Sequence, residues 1–314
     1  YTLSDDRQSI CLTLANSNVR ELSNMTSFRV MPKHIYEGKD IVTEAEGRVT
    51  CGPYVLEDFN KEAGTLRFVV NEYYPQKPNV KEIVYQMFNN EDTMYLALQQ
   101  GDIDMVWTYS TGVTGTYQDV LASDENVSLI NVAAANAPAV LAFNNAKGLF
   151  ADENLRQAVS YALDYEAFKT YFGSAYAEIP NRGFVPETTV GYKETEKLAT
   201  DTDKAAEYMA AAGYGEKNGE GFYVNGKGVV AAFTLTVNAA KEAHVGYAEL
   251  VKTQLEAFGI QVNLETLDKD AYNAKTSNKF SENNITMEAA IYGYTAAGMG
   301  MGNGLGSIYV DGNH

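Results

Sequence analysis

LAFNNAKGLFADENLRQAVSYALDYEAF, residues 141–168, is the stretch whose reading decides the fold. With the two residues before it, it opens on a short apolar run, 139–143, that ends at Asn144, the pattern of a buried strand leaving a sheet. Asp152 then stands where a helix N-cap belongs, its carboxylate ready to accept from the free amides of the first turn. Leu155, Ala158, Val159, Ala162 and Leu163 follow at helical spacing, so one face is apolar while Arg156, Gln157 and Ser160 turn away from it. Periodicity alone gives the strand, loop and helix of an α/β protein.

Toward the C-terminus the same alternation of elements continues. Asp201 opens a helix over 201–212 with Ala205, Ala206, Met209 and Ala212 on its apolar side, and Ala211-Ala212-Gly213-Tyr214 stops it. Asn225-Gly226 predicts a hairpin turn joining 222–224 to a strand at 233–237. A helix over 243–258, with Ala248, Val251, Leu255 and Phe258 on one face, ends at Gly259 before a strand at 260–267. That is a βαβ unit.

Toward the N-terminus, residues 1–14 and 66–70 alternate as strands do, and Met31-Pro32-Lys33-His34 breaks the chain between them. Thr50-Cys51-Gly52-Pro53-Tyr54 marks a sharp turn, because glycine tolerates unusual dihedrals and proline fixes one. A strand at 80–88 leads to a short helix capped by Asp92 or Thr93, with Met94, Ala97 and Leu98 inward and Gly101 at its left-handed end. A second apolar strand at 103–107 would complete another βαβ unit.

Composition narrows the classes. A chain of 314 residues can bury a sizeable core and suggests about two domains. With 45% hydrophobic and 21% charged residues it reads as globular, and no apolar run approaches the ~18 residues of a membrane span. The net charge of −17 is the opposite of what phosphate binding requires, so nucleic acid is not an expected partner. Tyr1 is not a translational start, and no signal peptide or lipobox is visible, so a processed or excised piece is expected. Cys11 and Cys51 read either as two buried thiols or as a disulfide of an oxidising compartment. His34, His244 and His314 have no metal-ligand spacing.

Catalytic signatures are missing. There is no Gly-x-Ser-x-Gly, His-Glu-x-x-His or phosphate-loop motif, and the glycine run 298–306 gives no Gly-x-Gly-x-x-Gly in any register. The 22 tyrosines suit instead a binding cleft whose walls combine apolar faces with polar tips, although most will serve the core or its rim.

Five of these motifs carry a family resemblance. Asn144, Asp152, Arg156, Gln157, Ala158, Tyr161, Ala162 and Asp164 are similar to the segment that opens the second lobe in solute-binding proteins of the peptide/nickel class, family 5. Thr50-Cys51-Gly52-Pro53-Tyr54 with Asn71-x-Tyr73-Tyr74 resembles that family's Gly-Thr-Gly-Pro-Tyr turn and Asn-x-x-Tyr, Cys51 being a departure that leaves the turn intact. Leu98-Gln99-Gln100-Gly101-Asp102-Ile103-Asp104 resembles its Leu-x-x-Gly-Glu-Ile-Asp, and Ala212-Gly213-Tyr214 its Ala-Gly-Tyr helix stop. Leu255, Gly259, Ile260 and Val262 match a fifth position. The resemblance covers nearly all of this chain, and the chain covers the middle of the family's length.

The resemblance implies an α/β, two-lobed periplasmic-binding-protein-like fold of class II type, with mixed sheets and βαβ units. It places an incomplete first lobe at 1–140 and a second lobe at 141–314, with 139–150 as hinge or crossover. It further implies the substrate-binding component of an ABC importer, a monomer without cofactor or metal. Such a protein captures an oligopeptide or related small solute by lobe closure and delivers it to a membrane permease. The setting would be extracytoplasmic, either periplasmic or on the cell surface as a lipoprotein of a Gram-positive bacterium. A non-peptide solute such as an oligosaccharide or metal chelate, a hydrolase, and a truncated chain that binds nothing are the other readings. The ligand-proximal positions carried over are Trp107, Thr108 and Tyr109 from the first lobe and Tyr294, Thr295 and Ala297 from the second. Tyr294 stands where the family has Trp. Ala297 stands where its peptide binders have the Asp that pairs with a peptide's ammonium, a bond a methyl group cannot make.

Overall fold

The computed structural model describes residues 1–15, 25, 30–38, 49–106, 112–113, 115–130, 136–172, 176–182, 192–277 and 285–295. The chain divides into two compact units, Tyr1–Val106 and Trp107–His314.

In the first unit, β1 (Thr2–Leu3) and β2 (Ile10–Cys11) pair antiparallel, and α1 (Lys33–Tyr36) starts directly after Pro32. Strands β3 (Tyr54–Asn60), β4 (Thr65–Val70) and β5 (Glu82–Gln86) form an antiparallel meander. Arg67 ties its three strands together, gripping Glu82 with bonds of 2.7 and 2.8 Å and also bonding Glu57. The Gly52-Pro53 turn and Asn71 prove to be one latch. Asn71 Nδ2 donates to the Gly52 and Thr50 carbonyls at 2.8 and 3.2 Å, and its backbone N–H donates to the Pro53 carbonyl at 2.8 Å. Gly52 does not adopt a positive φ. Its constraint is space, since a Cβ there would lie 3.3 Å from Thr50 Oγ1.

Helix α2 (Glu91–Gln100) is capped by Asn90, whose side chain accepts from Thr93 N, two or three residues before the expected cap. Gly101 ends it at φ 77°, in the left-handed region. Its one buried residue is Tyr95, while Met94, Ala97 and Leu98 are half-buried. The βαβ unit expected here is not formed among the described residues. Residues 103–106 make no strand, Met105 is largely exposed, and β5 pairs antiparallel with β4. The reading of Cys11 and Cys51 as buried thiols is also corrected, for both are exposed and unbonded. Two strands of two residues each cannot cover Cys11.

The second unit contains α3 (Gly115–Ala122), β6 (Asn136–Phe143), a 3₁₀ turn (Leu149–Ala151), α4 (Glu153–Ala162), α5 (Tyr165–Phe172) and α6 (Thr202–Ala211). After these come β7 (Glu216–Lys217), β8 (Tyr223–Val224), β9 (Ala232–Asn238), α7 (Glu242–Phe258), β10 (Gln261–Leu267), α8 (Lys269–Thr276) and β11 (Ala289–Thr295). The main sheet has the order β10-β9-β11-β6, parallel except for the antiparallel β11–β6 pair. The predicted β9–α7–β10 unit is present, with Gly259 in the left-handed region at φ 117°.

Helix α4 forms as its spacing requires. Asp152 accepts from Asn154 N at 2.8 Å, and Leu155, Ala158, Val159 and Ala162 are buried together with Tyr161. Arg156 Nη1 donates to the Phe150 carbonyl at 2.7 Å, and Asp164 caps α5 by accepting from Glu166 and Ala167. Phe150 packs between Phe143 and Phe233, at ring separations of 4.2 and 4.8 Å, in a core shared by α4, α7 and the sheet. The hairpin expected at Asn225-Gly226 is present, Val224 bridging Val230 antiparallel and Ala231 N donating to the Tyr223 carbonyl, but its loop is wider than two residues. Asn225 Oδ1 accepts from both Lys227 and Val229, the positive φ falls at Gly228, and β8 pairs with β7.

Candidate functional site

Strand β11 changes its neighbours part-way along. Ala289 and Ala290 pair with β9 on one side, whereas β6 accompanies the strand on the other side to Thr295. From residue 291 onward, β11 and β6 therefore run on as a two-stranded ribbon. The register shifts within it: Tyr292 lies opposite Val140 and Tyr294 opposite Ala137, leaving Pro138 and Ala139 across from Gly293. Proline lacks the N–H a ladder needs, so sheets admit it at edges and bulges, and β6 is the edge strand.

The inner end of the ribbon is fastened. Asn144 N donates to the Glu288 carbonyl at 2.9 Å and its Nδ2 to the Met287 carbonyl at 3.0 Å, while Ala139, Leu141 and Phe143 pack on the core. Where β9 drops away, Tyr272 of α8 takes its place, its hydroxyl donating to the Ile291 carbonyl at 2.8 Å. Burial pushes the Tyr272 pKa up to about 12, so it remains a donor through the neutral range. Among the described residues, no strand pairs with the other edge of residues 291–295. The ribbon begins where the Tyr272 hydroxyl donates to the Ile291 carbonyl. It also lies at the carboxyl end of strands parallel to β9, where ligands gather in open α/β sheets.

Of the positions expected at the ligand, Tyr294 and Thr295 occupy the last two places of β11, opposite Ala137 and Asn136. Their side chains lie outside the described residues, as do Trp107, Thr108, Tyr109 and Ala297. Sequence reasoning missed Pro138 and Tyr272. A proline inside an apolar run was the visible signal for the first, and Tyr272 offered none. Among the described residues, no group of three or more His, Cys, Asp and Glu side chains is placed to hold a metal, and no helix is long and apolar enough to cross a membrane.

Residues 4–311 match the family described as bacterial extracellular solute-binding proteins, family 5 middle, and the chain belongs to that family. It is 23% identical over 259 residues to the oligopeptide-binding protein AppA of Bacillus subtilis, covering 79% of this chain and 46% of that protein. It is 22% identical to the nickel-binding periplasmic protein of Escherichia coli, covering 78% and 47%. Among solved structures, a putative peptide binding protein AppA from Clostridium difficile superposes with a TM-score of 0.73 at 20% identity, over 94% of this chain and 57% of that one. NikZ from Campylobacter jejuni, in complex with Ni(L-His), gives 0.67 at 18% identity, over 85% and 51%. The fold is the one these proteins share. The chain spans about half the length of the curated relatives it matches.

Proposed function

We propose that this chain is the central part of an ABC-importer substrate-binding protein that captures a peptide or related small solute outside the cytoplasm and passes it, without turnover, to a membrane permease. The observation that carries this is the match of residues 4–311 to the family 5 extracellular solute-binding proteins. The β11–β6 ribbon, fastened at Asn144, supports this by carrying Tyr294 and Thr295 to the far end of its paired strands. In this reading Tyr294, Thr295 and Ala297 border the solute from the second lobe, and Trp107, Thr108 and Tyr109 face it from the first. The paired strands β6 and β11 form the crossing between lobes, and residues 139–150 are its anchored inner end. Closure follows because a ligand bound more tightly by the closed form shifts the equilibrium toward it. The protein acts as a monomer, in the periplasm or on a cell surface.

The test is small-angle scattering on the full-length protein with a panel of free peptides, amino-acid chelates of nickel and oligosaccharides. A smaller radius of gyration with peptides, and no product formed, is the expected result. Contraction with chelates or sugars alone would replace peptide by that solute class. No contraction with any of them, or release of product, counts against the reading.

A further inference from the structure

Arg182 is held in an unusual way. Its backbone N–H donates to the Glu196 carbonyl at 2.8 Å, and Leu198 N donates to the Pro180 carbonyl at 3.0 Å, so residues 180–182 run antiparallel to 196–198. The guanidinium lies over the Tyr161 ring, 4.1 Å from its centroid, and Nη1 donates to Ser160 Oγ at 3.2 Å. Both partners sit in the last turn of α4, so the plane of the group is fixed by a regular element.

Among the described residues, the other side of the guanidinium finds no partner. Nε and Nη2 are buried and, among the described residues, have no hydrogen-bond acceptor. These two nitrogens share one edge of the planar group, the edge that receives a carboxylate side-on through two parallel bonds. Burying two donors of a cation without an acceptor is costly, and a carboxylate there would recover the loss. The nearest carboxylate with a recorded contact is Glu196, whose Oε2 stands 3.8 Å from Nε, beyond hydrogen-bond reach, with its side chain 68% exposed. Lys204 Nζ lies 4.3 Å from the same ring centroid and adds a second positive charge.

We propose that Arg182 is a carboxylate-recognition group, taking the carboxylate of a small acidic ligand on its Nε/Nη2 edge with Glu196 as the intramolecular competitor that the ligand displaces. Ser160 and Tyr161 set the plane and Lys204 raises the local potential. Lysine cannot stand in for Arg182, because an ammonium has neither the fork nor the flat face. The subsite itself is independent of the solute-binding reading. Only the natural source of the carboxylate, a peptide or amino-acid terminus, rests on it.

The experiment uses the 314-residue chain labelled with ¹⁵N-arginine and titrated with sodium acetate, with sodium chloride at equal ionic strength as control. The Nε–Hε signal that disappears in Arg182→Gln is the reporter. A saturable shift with acetate, and not with chloride, is expected, and Glu196→Gln should lower the half-saturating concentration by about fivefold, the order of a partly exposed ion pair. A reporter that does not move, a response equal in chloride, or weaker binding in Glu196→Gln overturns the proposal. If Arg182→Gln does not fold, Arg182→Lys identifies the same signal and must abolish acetate protection against thermal unfolding. Protection retained in Arg182→Lys also overturns it. Scattering that shows no closure with any solute would leave this readout untouched.

Discussion

Asn71 satisfies three backbone groups with one side chain, since its Oδ1 also accepts from Tyr73 N at 3.0 Å while Nδ2 serves Thr50 and Gly52. Asn71→Ala leaves those groups without partners at a position that is only 5% exposed. A loss of about 1–3 kcal/mol is expected, confined to the first unit. Amide hydrogen exchange would show it as faster exchange around residues 52–54 and 70–73 with β9 and β10 unchanged. Uniform protection would contradict the latch. At this scale the sequence was readable wherever a residue bonds its own neighbourhood, as Asp152, Arg156 and Asp164 do. Gly246 shows the limit. It sits inside α7, where a Cβ would fall 1.7 Å from Tyr171 Oη, and nothing near it in sequence announces a tyrosine arriving from α5.

Elements differ in how far they depend on partners. Helices α4 and α7 were legible because an amphipathic stripe and its caps are local properties. A strand exists only with a neighbour, and that is why residues 103–106 departed from expectation, whereas the Asn225 hairpin formed with a wider loop. The β11–β6 ribbon belongs to the same class, since Asn144 announced its inner end but the loss of β9 beyond Ala290 is a fact of topology. Tyr272→Phe tests how the ribbon is held. It removes the donor to the Ile291 carbonyl in a buried setting, so the cost is again about 1–3 kcal/mol. Opening should concentrate at residues 291–295, read as faster amide exchange there, while the core of the sheet keeps its protection. Global destabilisation with an unaltered exchange pattern would place the role of Tyr272 elsewhere.

For the whole molecule, the two units are unequally built. Among the described residues of Tyr1–Val106 only Tyr95 and Asn71 are buried, whereas the second unit encloses a continuous core from Phe150 to Ile291. That core depends on neutral tyrosines: burial raises the pKa of Tyr165, Tyr223 and Tyr247, and that of Tyr272 to about 12. The unfolded chain releases these protons near pH 10 while the native state still holds them. Stability is therefore complete below about pH 10 and falls as pH rises toward 12. Denaturant unfolding followed from pH 8 to 12 should show a midpoint flat to about 10 and steeply lower above it. A flat midpoint to pH 12 would show that these hydroxyls are already ionised or solvated.

The pairing of Thr295 with Asn136 has one more consequence. Among the described residues, the first and last positions of the main sheet of the second unit lie side by side, although some hundred and sixty residues separate them along the chain. Everything between those two points is topologically an insert. It can be lengthened, exchanged or transplanted at a single locus, because a host needs only two neighbouring strands to receive it. Variation within the excursion then leaves the paired strand ends where they were.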